Sequence, residues 1–370
     1  MMPLPWMAPI SGDEPRETWR WTGGEGQGPP TTEVAADDRE QINLVQMPGS
    51  SERVTVYEVV ELAAALAQRD HARLRTQALI LLVVVVLFAG LAAWFSVSSG
   101  STGWHAVAST VITMAPLAFA GVPLAIQYRR ASIRWDRHAR LQALALRFDR
   151  WFSFRLPSRR RFAFMLVPVL AVSGWVWWSG ASIDRVTWDP QLLGSEPWRW
   201  LTGSVTHASW GHLILNLLMA LILGRTAEGL LGRPVAAVGL VLGMAAGGIA
   251  SLLIGSGASS VGMSGGCMAL LGMLLAWWWR WRRSPPGPLT LLVVPTLLFS
   301  AVIGVIGYDY INNAAHFGGL MAGVVLGACL GRPWPSEGGR PGVWVAVDWS
   351  AQVVLWVSCI TCVAILVVRG

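Results

Sequence analysis

The stretch VGMSGGCMALLGMLLAWWW, residues 261–279, decides the class of fold that this chain adopts. It contains no charged side chain, and as a helix it is long enough to cross most of the hydrocarbon core of a membrane. Its one hydroxyl group belongs to Ser264, at the outer end of the run. A serine in such surroundings is either a packing residue or a reactive one, and the rest of the sequence bears on that choice.

The composition of the whole chain excludes a soluble globular protein. Of 370 residues, 54% are hydrophobic and only 13% are charged. Long apolar runs without alternation, such as residues 78–95, favour membrane-spanning helices over barrel strands, because a helix satisfies its own backbone hydrogen bonds in lipid. We therefore predict an all-α polytopic membrane protein.

Hydropathy predicts nine membrane spans. They cover residues 77–97, 103–126, 162–179, 209–230, 234–255, 261–279, 288–306, 309–330 and 344–368. If the N-terminus is cytoplasmic, only three of the 28 basic residues lie on the outer side of the membrane. All 28 are arginine. The positive-inside rule thus supports an N-in, C-out topology. The net charge of +7 is then a topology signal and does not indicate a nucleic-acid partner.

This pattern divides the chain into four parts. They are a disordered cytoplasmic tail (1–56), a short amphipathic helix with two spans (57–127), a basic cytoplasmic linker (128–161), and the seven spans that follow it. The acidic, Pro- and Gly-rich start resembles neither a signal peptide nor a mitochondrial transit peptide. We expect a multi-pass protein of a bacterial plasma membrane.

All four cysteines fall in apolar runs, so they are predicted to be small core residues. They are Cys267, Cys329, Cys359 and Cys362. Neither a disulfide framework nor a thiolate metal site is indicated.

Four polar residues inside the predicted spans are functional candidates, because polar groups are costly in lipid. His212 and Asn216 are four residues apart, on one face of the fourth span near its outer end. Ser264 begins the sixth span, and His316 lies about two turns into the eighth. The predicted topology places all four at a similar depth below the same membrane face.

This set allows nucleophilic catalysis. A serine hydroxyl needs a base to take its proton, and His316 is suited to that role. The two helices could approach closely along a seam of small residues, namely Gly272, Gly319 and Gly323. Asp309 lies about 10 Å of helix rise before His316, so we expect a dyad and no triad.

A site for a developing oxyanion would then be formed by His212, Asn216 and backbone N–H groups at the start of the Ser264 helix, where the helix dipole is also favourable. Each residue also has a purely structural interpretation. Serine and glycine are common at helix interfaces in lipid, and a lone His or Asn can serve an interhelical hydrogen bond. The coincidence of all four at one depth favours the functional interpretation.

Five motifs in chain order resemble the rhomboid family of intramembrane serine proteases over about residues 160–330. They are Trp198–Arg199; His207, His212 and Asn216; Gly224, Glu228 and Gly232; Gly262, Met263, Ser264 and Gly265; and Ala315, His316, Gly319 and Gly323. The resemblance implies a Ser264 nucleophile, a His316 general base and acid, an oxyanion site of His212, Asn216 and Ser264, and substrate helices that enter sideways. It also implies a six-helix rhomboid-like protease core (162–330), so that residues 331–370 form a linker and an additional C-terminal span.

Two features depart from the family pattern. Met268 occupies a position where bacterial members often have a tyrosine that stacks on the catalytic histidine, so we expect altered packing with activity kept. The second departure is the two helices before the core and the one after it.

The predicted partners are transmembrane protein substrates and the lipid bilayer, and the chemistry needs no metal or cofactor; the sequence leaves the oligomeric state open. The main alternative is a catalytically silent rhomboid-like chaperone or substrate-binding protein, which would typically lack the nucleophile or base. A metalloprotease is disfavoured because His207 and His212 lack i,i+4 spacing and a neighbouring acid. A transporter is disfavoured by the absence of a convincing internal repeat.

Overall fold

The computed structural model describes residues 18–20, 44–46, 53–55, 72, 74–80, 83, 142–143, 160–254, 259–281, 287–307, 311–330 and 342–368. The chain forms two compact units, residues 1–151 with 286–299, and residues 152–285 with 300–370. The predicted span 103–126 lies outside the described residues. Of the predicted span 77–97, only residues 77–80 and 83 are described, and these are helical.

A small sheet lies in the segment predicted to be a disordered tail. Its strands are β1 (Thr18–Arg20), β2 (Leu44–Gln46) and β3 (Arg53–Thr55). Strand β1 pairs in parallel with β2, and β2 pairs antiparallel with β3. This sheet is an addition to the all-α fold that the sequence predicts. The other residues of segment 1–56 lie outside the described part of the chain.

The regular elements described from residue 160 onward are helical. They are α1 (Arg160–Ser179), a 3₁₀ turn (Ile183–Arg185), α2 (Arg199–Thr202), α3 (Trp210–Leu231), α4 (Arg233–Ile254), α5 (Ser264–Arg280), α6 (Gly287–Ile306), α7 (Asn313–Leu330) and α8 (Gly342–Val368). The seven longer helices match the seven spans predicted from residue 162 onward. Five of them are long and apolar enough to cross a membrane, and α6 carries a shorter apolar segment, Leu289–Val305. A polytopic helical membrane fold is thereby confirmed.

Helix α5 is the centre of the second unit. It is buried on nearly every side from Gly265 to Leu274 and packs against α3, α4 and α7. A helix that is apolar all round is expected to be buried in this way. The residue that opens this helix, Ser264, is therefore held by a tightly enclosed element.

Helices α5 and α7 pack backbone against backbone at glycine positions. A Cβ atom on Gly319 would overlap the carbonyl oxygen of Gly265, and one on Gly323 would overlap that of Ala269. A Cβ on Gly272 would lie 2.8 Å from the backbone nitrogen of Val324. The close approach that the small residues predict between the sixth and eighth spans is present in the structure.

Helix α8 packs against α4, α1 and α2. Near one end of the α4–α8 interface, Arg233 Nε lies 3.3 Å from Asp348 Oδ1, and the Asp348 side chain is only 8% exposed. Farther along, Val238, Val241, Leu242, Val347, Ser350, Ala351 and Val354 line an apolar gap of about 220 Å³. The added C-terminal helix is thus held by a partly buried ion pair beside an incompletely filled contact.

The cysteines are not all core residues. Cys267, Cys359 and Cys362 are buried as predicted, but Cys329 is exposed near the end of α7. The prediction was wrong for Cys329 because an apolar run does not reveal which helix face meets the neighbouring helices and which faces lipid.

Candidate active site

One cavity of about 690 Å³ brings together the four polar residues singled out from the sequence. Ser264, His212, Asn216 and His316 all line it. They come from three helices, α3, α5 and α7. The cavity also reaches the loop residues Ser260 and Gly262 before α5 and Asn312 before α7.

The start of α5 is positioned by an unusual backbone at Gly262. This residue has φ of +113°, and its N–H donates to the Gly203 carbonyl at 2.8 Å. A Cβ here would lie 2.9 Å from His212 Nε2 and 3.4 Å from Asn216 Nδ2. Only glycine suits both this conformation and this space. The chain therefore passes directly against His212 and Asn216 before Ser264 begins the helix, where the first N–H groups have no acceptor within the helix.

His316 lies in the first turn of α7, because that helix begins at Asn313. The prediction that His316 lies two turns into its span was wrong, since hydropathy carried the span back to residue 309. The Gly265–Gly319 contact brings the start of α5 beside α7 one turn after His316. The structure contains no hydrogen bond between the side chains of Ser264 and His316, both of which are described. Catalytic hydrogen bonds are often long before substrate binds.

Asn216 presents an unused donor. Its side chain is 5% exposed, and its Nδ2 has no hydrogen-bond partner although it lines the cavity. The thiol of Cys267 lies 3.4 Å from the Asn216 carbonyl oxygen and 3.8 Å from Asn216 Oδ1, and its single proton can be donated to either. Because the oxygen of the amide faces Cys267, the nitrogen is free to point into the cavity. A buried donor without a partner is costly unless something else binds it.

His212 and His207 form an edge-to-face pair with ring centroids 5.1 Å apart. Ser209 caps α3 by accepting a hydrogen bond from His212 N at 3.2 Å. His207, in the loop before α3, is buried and hydrogen-bonds through Nδ1 to Ser173 Oγ at 3.2 Å. Burial, together with the nearby His212, lowers the pKa of His207 to about 3. A neutral His207 ring thus packs against His212 from the side of α1.

The Trp198–Arg199 pair lies at the start of α2, outside the cavity. Arg199 is 6% exposed, and its Nε donates to Glu196 at 2.6 Å. Its Nη1 donates to the carbonyl oxygens of Asp184 and Thr187, at 2.6 and 2.8 Å. Arg199 therefore holds the loop between α1 and α2 in one conformation, and the Trp198 carbonyl accepts hydrogen bonds from Leu201 and Thr202. This is a structural contribution to the site.

Gly265 and Ala315 line the cavity, whereas the motif residues in the later part of α3 and at its end lie away from it. Gly224 packs against the ring of Phe162, so α1 and α3 approach closely there. Glu228 is buried, and Gly232, with φ of 88°, ends α3. Met268, the residue that departs from the family pattern, is buried in α5.

Several residues that matter to the geometry were missed from the sequence. Trp188 and Ser260 exchange two backbone hydrogen bonds, of 3.0 and 2.9 Å, which tie the loop before α2 to the loop before α5. Ser260 Oγ also accepts a hydrogen bond from Asn312 Nδ2. The one available signal was Asn312 itself, since asparagine directly before an apolar helix is typical of an N-cap.

Part of this chain is similar to known proteins. Residues 194–333 match the family model described as the Rhomboid domain. RHOMBOID-like protein 6, mitochondrial, from Arabidopsis thaliana is 29% identical over 153 residues, 40% of this chain and 48% of its own length. Rhomboid protease GlpG is 32% identical over 135 residues in Pectobacterium atrosepticum (35% of this chain, 47% of the relative) and 31% identical over 148 residues in Photorhabdus laumondii (38% and 50%).

The helices and the cavity define a multi-pass integral membrane protein with a polar site enclosed among its helices. Within that class, residues 194–333 are similar to the Rhomboid domain, and the resemblance seen in the sequence motifs is confirmed. The chain spans about half the length of the curated relatives it matches.

Proposed function

We propose that this protein is an intramembrane serine endopeptidase that hydrolyses peptide bonds of transmembrane substrates with Ser264 and His316 as its dyad. The observation that carries the proposal is the single cavity shared by Ser264, His316, His212 and Asn216, with an unpartnered buried donor on Asn216. The match to a rhomboid domain, and the relatives named as rhomboid proteases, support the same reaction class.

The proposed reaction has two halves. His316 takes the proton of the Ser264 hydroxyl as its oxygen attacks the scissile carbonyl carbon. The oxyanion accepts hydrogen bonds from Asn216 Nδ2, His212 and the Ser264 N–H, at the favourable end of the helix dipole. His316 then gives its proton to the leaving amine, and an acyl-enzyme remains. Water, deprotonated by His316, hydrolyses the ester and restores Ser264.

The substrates would be membrane proteins whose helices open near the predicted outer face. A peptide bond in an intact helix is hydrogen-bonded and inaccessible, so Gly, Pro or small residues near that end should favour cleavage. The predicted N-in, C-out orientation and a bacterial plasma membrane are part of this proposal.

The test is labelling with a serine-reactive fluorophosphonate after purification in detergent. Wild type should be labelled, Ser264→Ala should not, and His316→Ala should react at least about 100-fold more slowly, the usual range for loss of a general base. Ser259→Ala, a change at an exposed neighbouring serine, is the matched control and should label normally. Equal labelling of wild type and Ser264→Ala, or none, would contradict the proposal and favour a silent rhomboid-like protein.

The second arm is cleavage in vesicles. A single-span substrate with a Gly-Gly pair in its outer third should be cleaved faster than its Leu-Leu counterpart, and Ser264→Ala should cleave neither. Cleavage that persists in Ser264→Ala would show that another group or a contaminant does the chemistry.

A further inference from the structure

Asn312 connects the two chain segments that carry the proposed nucleophile and base. Its Nδ2 donates to Ser260 Oγ at 3.1 Å, and Ser260 lies four residues before Ser264. Its Oδ1 accepts from the Ala315 N–H at 3.0 Å, one residue before His316. One amide side chain therefore contacts both sides of the cavity.

A third contact anchors this amide to α4. Ser251 Oγ lies 3.0 Å from Asn312 Oδ1 and donates to it or to the Gly247 carbonyl, which lies 2.9 Å away. Ser251 is only 3% exposed, so its hydroxyl forms its hydrogen bonds within the protein and is shielded from solvent. Helix α4 also packs closely on both neighbours, because a Cβ on Gly247 would lie 3.0 Å from the Ala315 carbonyl oxygen and one on Gly265 would lie 3.0 Å from that of Gly243.

The other polar contact at this end serves a different helix. Asn313 Nδ2 donates to the Gly304 carbonyl of α6 at 2.9 Å and makes no hydrogen bond to residues 259–263, the described segment before α5. Asn312 thus contacts α4 and the segment before Ser264, whereas Asn313 contacts α6.

We propose that Asn312 is a positioning residue that sets the distance between Ser264 and His316 by linking Ser260, Ser251 and the first turn of α7. The proposal rests on the dyad proposed above. The glycine seam sets how close α5 and α7 lie. The backbone bonds of Ser260 to Trp188 and of Gly262 to Gly203 hold the loop before α5 to the segments around α2, but they do not tie it to α7. The Asn312–Ser260 bond restrains that loop against the helix that carries His316. A displacement of about 1 Å at a reacting group can cost about 100-fold in rate.

The experiment measures the rate of inactivation by the fluorophosphonate, separated into the maximal rate and the half-saturating concentration. Asn312→Ala should lower the maximal rate about 10- to 100-fold and leave the half-saturating concentration within about twofold, because the side chain acts on the reacting groups through others. Ser260→Ala, which removes one bond, should have a smaller effect of about 3- to 10-fold. Ser259→Ala should match wild type.

Asn312→Ser separates positioning from helix capping. Serine is a good N-cap and keeps an oxygen for the Ala315 N–H, but it is too short to reach Ser251 and Ser260 together. We expect thermal unfolding close to wild type with the slow inactivation of Asn312→Ala. If Asn312→Ser inactivates at the wild-type rate, Asn312 is only a cap and the proposal is overturned.

The last measurement tests whether the effects of the Asn312 and Ser260 substitutions on the inactivation rate are coupled. In the Asn312→Ala background, Ser260→Ala should add less than about twofold, because the bond between them is already lost. Independent, multiplying effects would overturn the proposed link. If labelling does not depend on Ser264 at all, both proposals fall; if it does and Asn312→Ala reacts like wild type, only this inference fails.

Discussion

The α5–α7 interface in the core and the α4–α8 interface of the added helix differ in how closely they pack. Helices α5 and α7 meet at glycines whose missing side chains let backbone touch backbone. Helices α4 and α8 meet through larger side chains, leave a gap of about 220 Å³, and rely on the Arg233–Asp348 pair. Close packing is therefore concentrated where the candidate dyad lies. The added helix is docked with more tolerance.

The largest effect should come from adding one methyl group to the seam. Gly323→Ala places a Cβ against the backbone of Ala269, which cannot move aside as a side chain could. We expect a loss of about 3 kcal/mol in unfolding free energy, at the upper end of the usual cost of overpacking, and loss of fluorophosphonate labelling. Thermal unfolding in detergent measures the first effect.

Gly194→Ala is the control for this change, because a Cβ there meets nothing within 4 Å. It should unfold as wild type does. If the two variants unfold alike, the seam is looser than the structure indicates and the contrast with α8 disappears.

The next effect concerns the ion pair at α8. Asp348→Asn removes the charge that faces Arg233 and leaves the guanidinium partly buried beside a neutral group. We expect a loss of about 2 kcal/mol, below the full cost of breaking a fully buried pair because Arg233 keeps some exposure to solvent. Limited proteolysis of the segment 331–341 should become faster, while labelling at Ser264 should persist. Simultaneous loss of labelling would show that α8 supports the site directly.

The stability of the folded protein should depend on pH through His207, which packs against the cavity residue His212. The pKa of His207 is lowered from 6.5 to about 3 in the folded protein, chiefly by burial. The unfolded chain therefore binds a proton below about pH 6.5 that the folded chain does not. This contribution to stability is complete above pH 6.5 and is lost as the pH falls towards 3, at about 1.4 kcal/mol per pH unit.

His207→Gln should remove that part of the pH dependence between pH 6 and 4, measured as the difference in unfolding free energy between the variant and wild type. An unchanged slope would mean that His207 is already protonated in the folded protein.

The smallest effect should be a gain. Ala351→Leu adds methyl groups towards the gap between α4 and α8, where a partly filled contact can accept them. We expect about 1 kcal/mol of added stability, typical of filling a cavity. A loss of stability would show that the gap is needed for helix movement or is too narrow for the new side chain.

The sequence predicted the parts of this molecule that depend on local pattern. The seven long helices from residue 160 onward, among them those that carry Ser264, His212 and His316, follow from hydropathy and spacing, although the span of His316 was predicted to begin too early. The glycine seam could also be predicted, because small residues recurred on the faces of two helices at the same depth.

The parts that could not be predicted are contacts between segments far apart in the chain. The Trp188–Ser260 bridge, the Asn312–Ser251 bond and the Arg233–Asp348 pair join residues whose own surroundings look ordinary. A single polar residue beside an apolar run is consistent with a cap, a loop or a tertiary bond. Only the packing of α4 beside α5, α7 and α8 decides among these.

The bare backbone contact between α5 and α7 also limits how the protein can change shape. Two helices in such contact cannot separate without losing many attractions at once, so they should travel as one rigid piece in any breathing motion. A large substrate can therefore enter the cavity only when neighbouring segments that pack through flexible side chains move aside. The chemistry would be anchored on the stationary part, and access would be regulated by the parts around it.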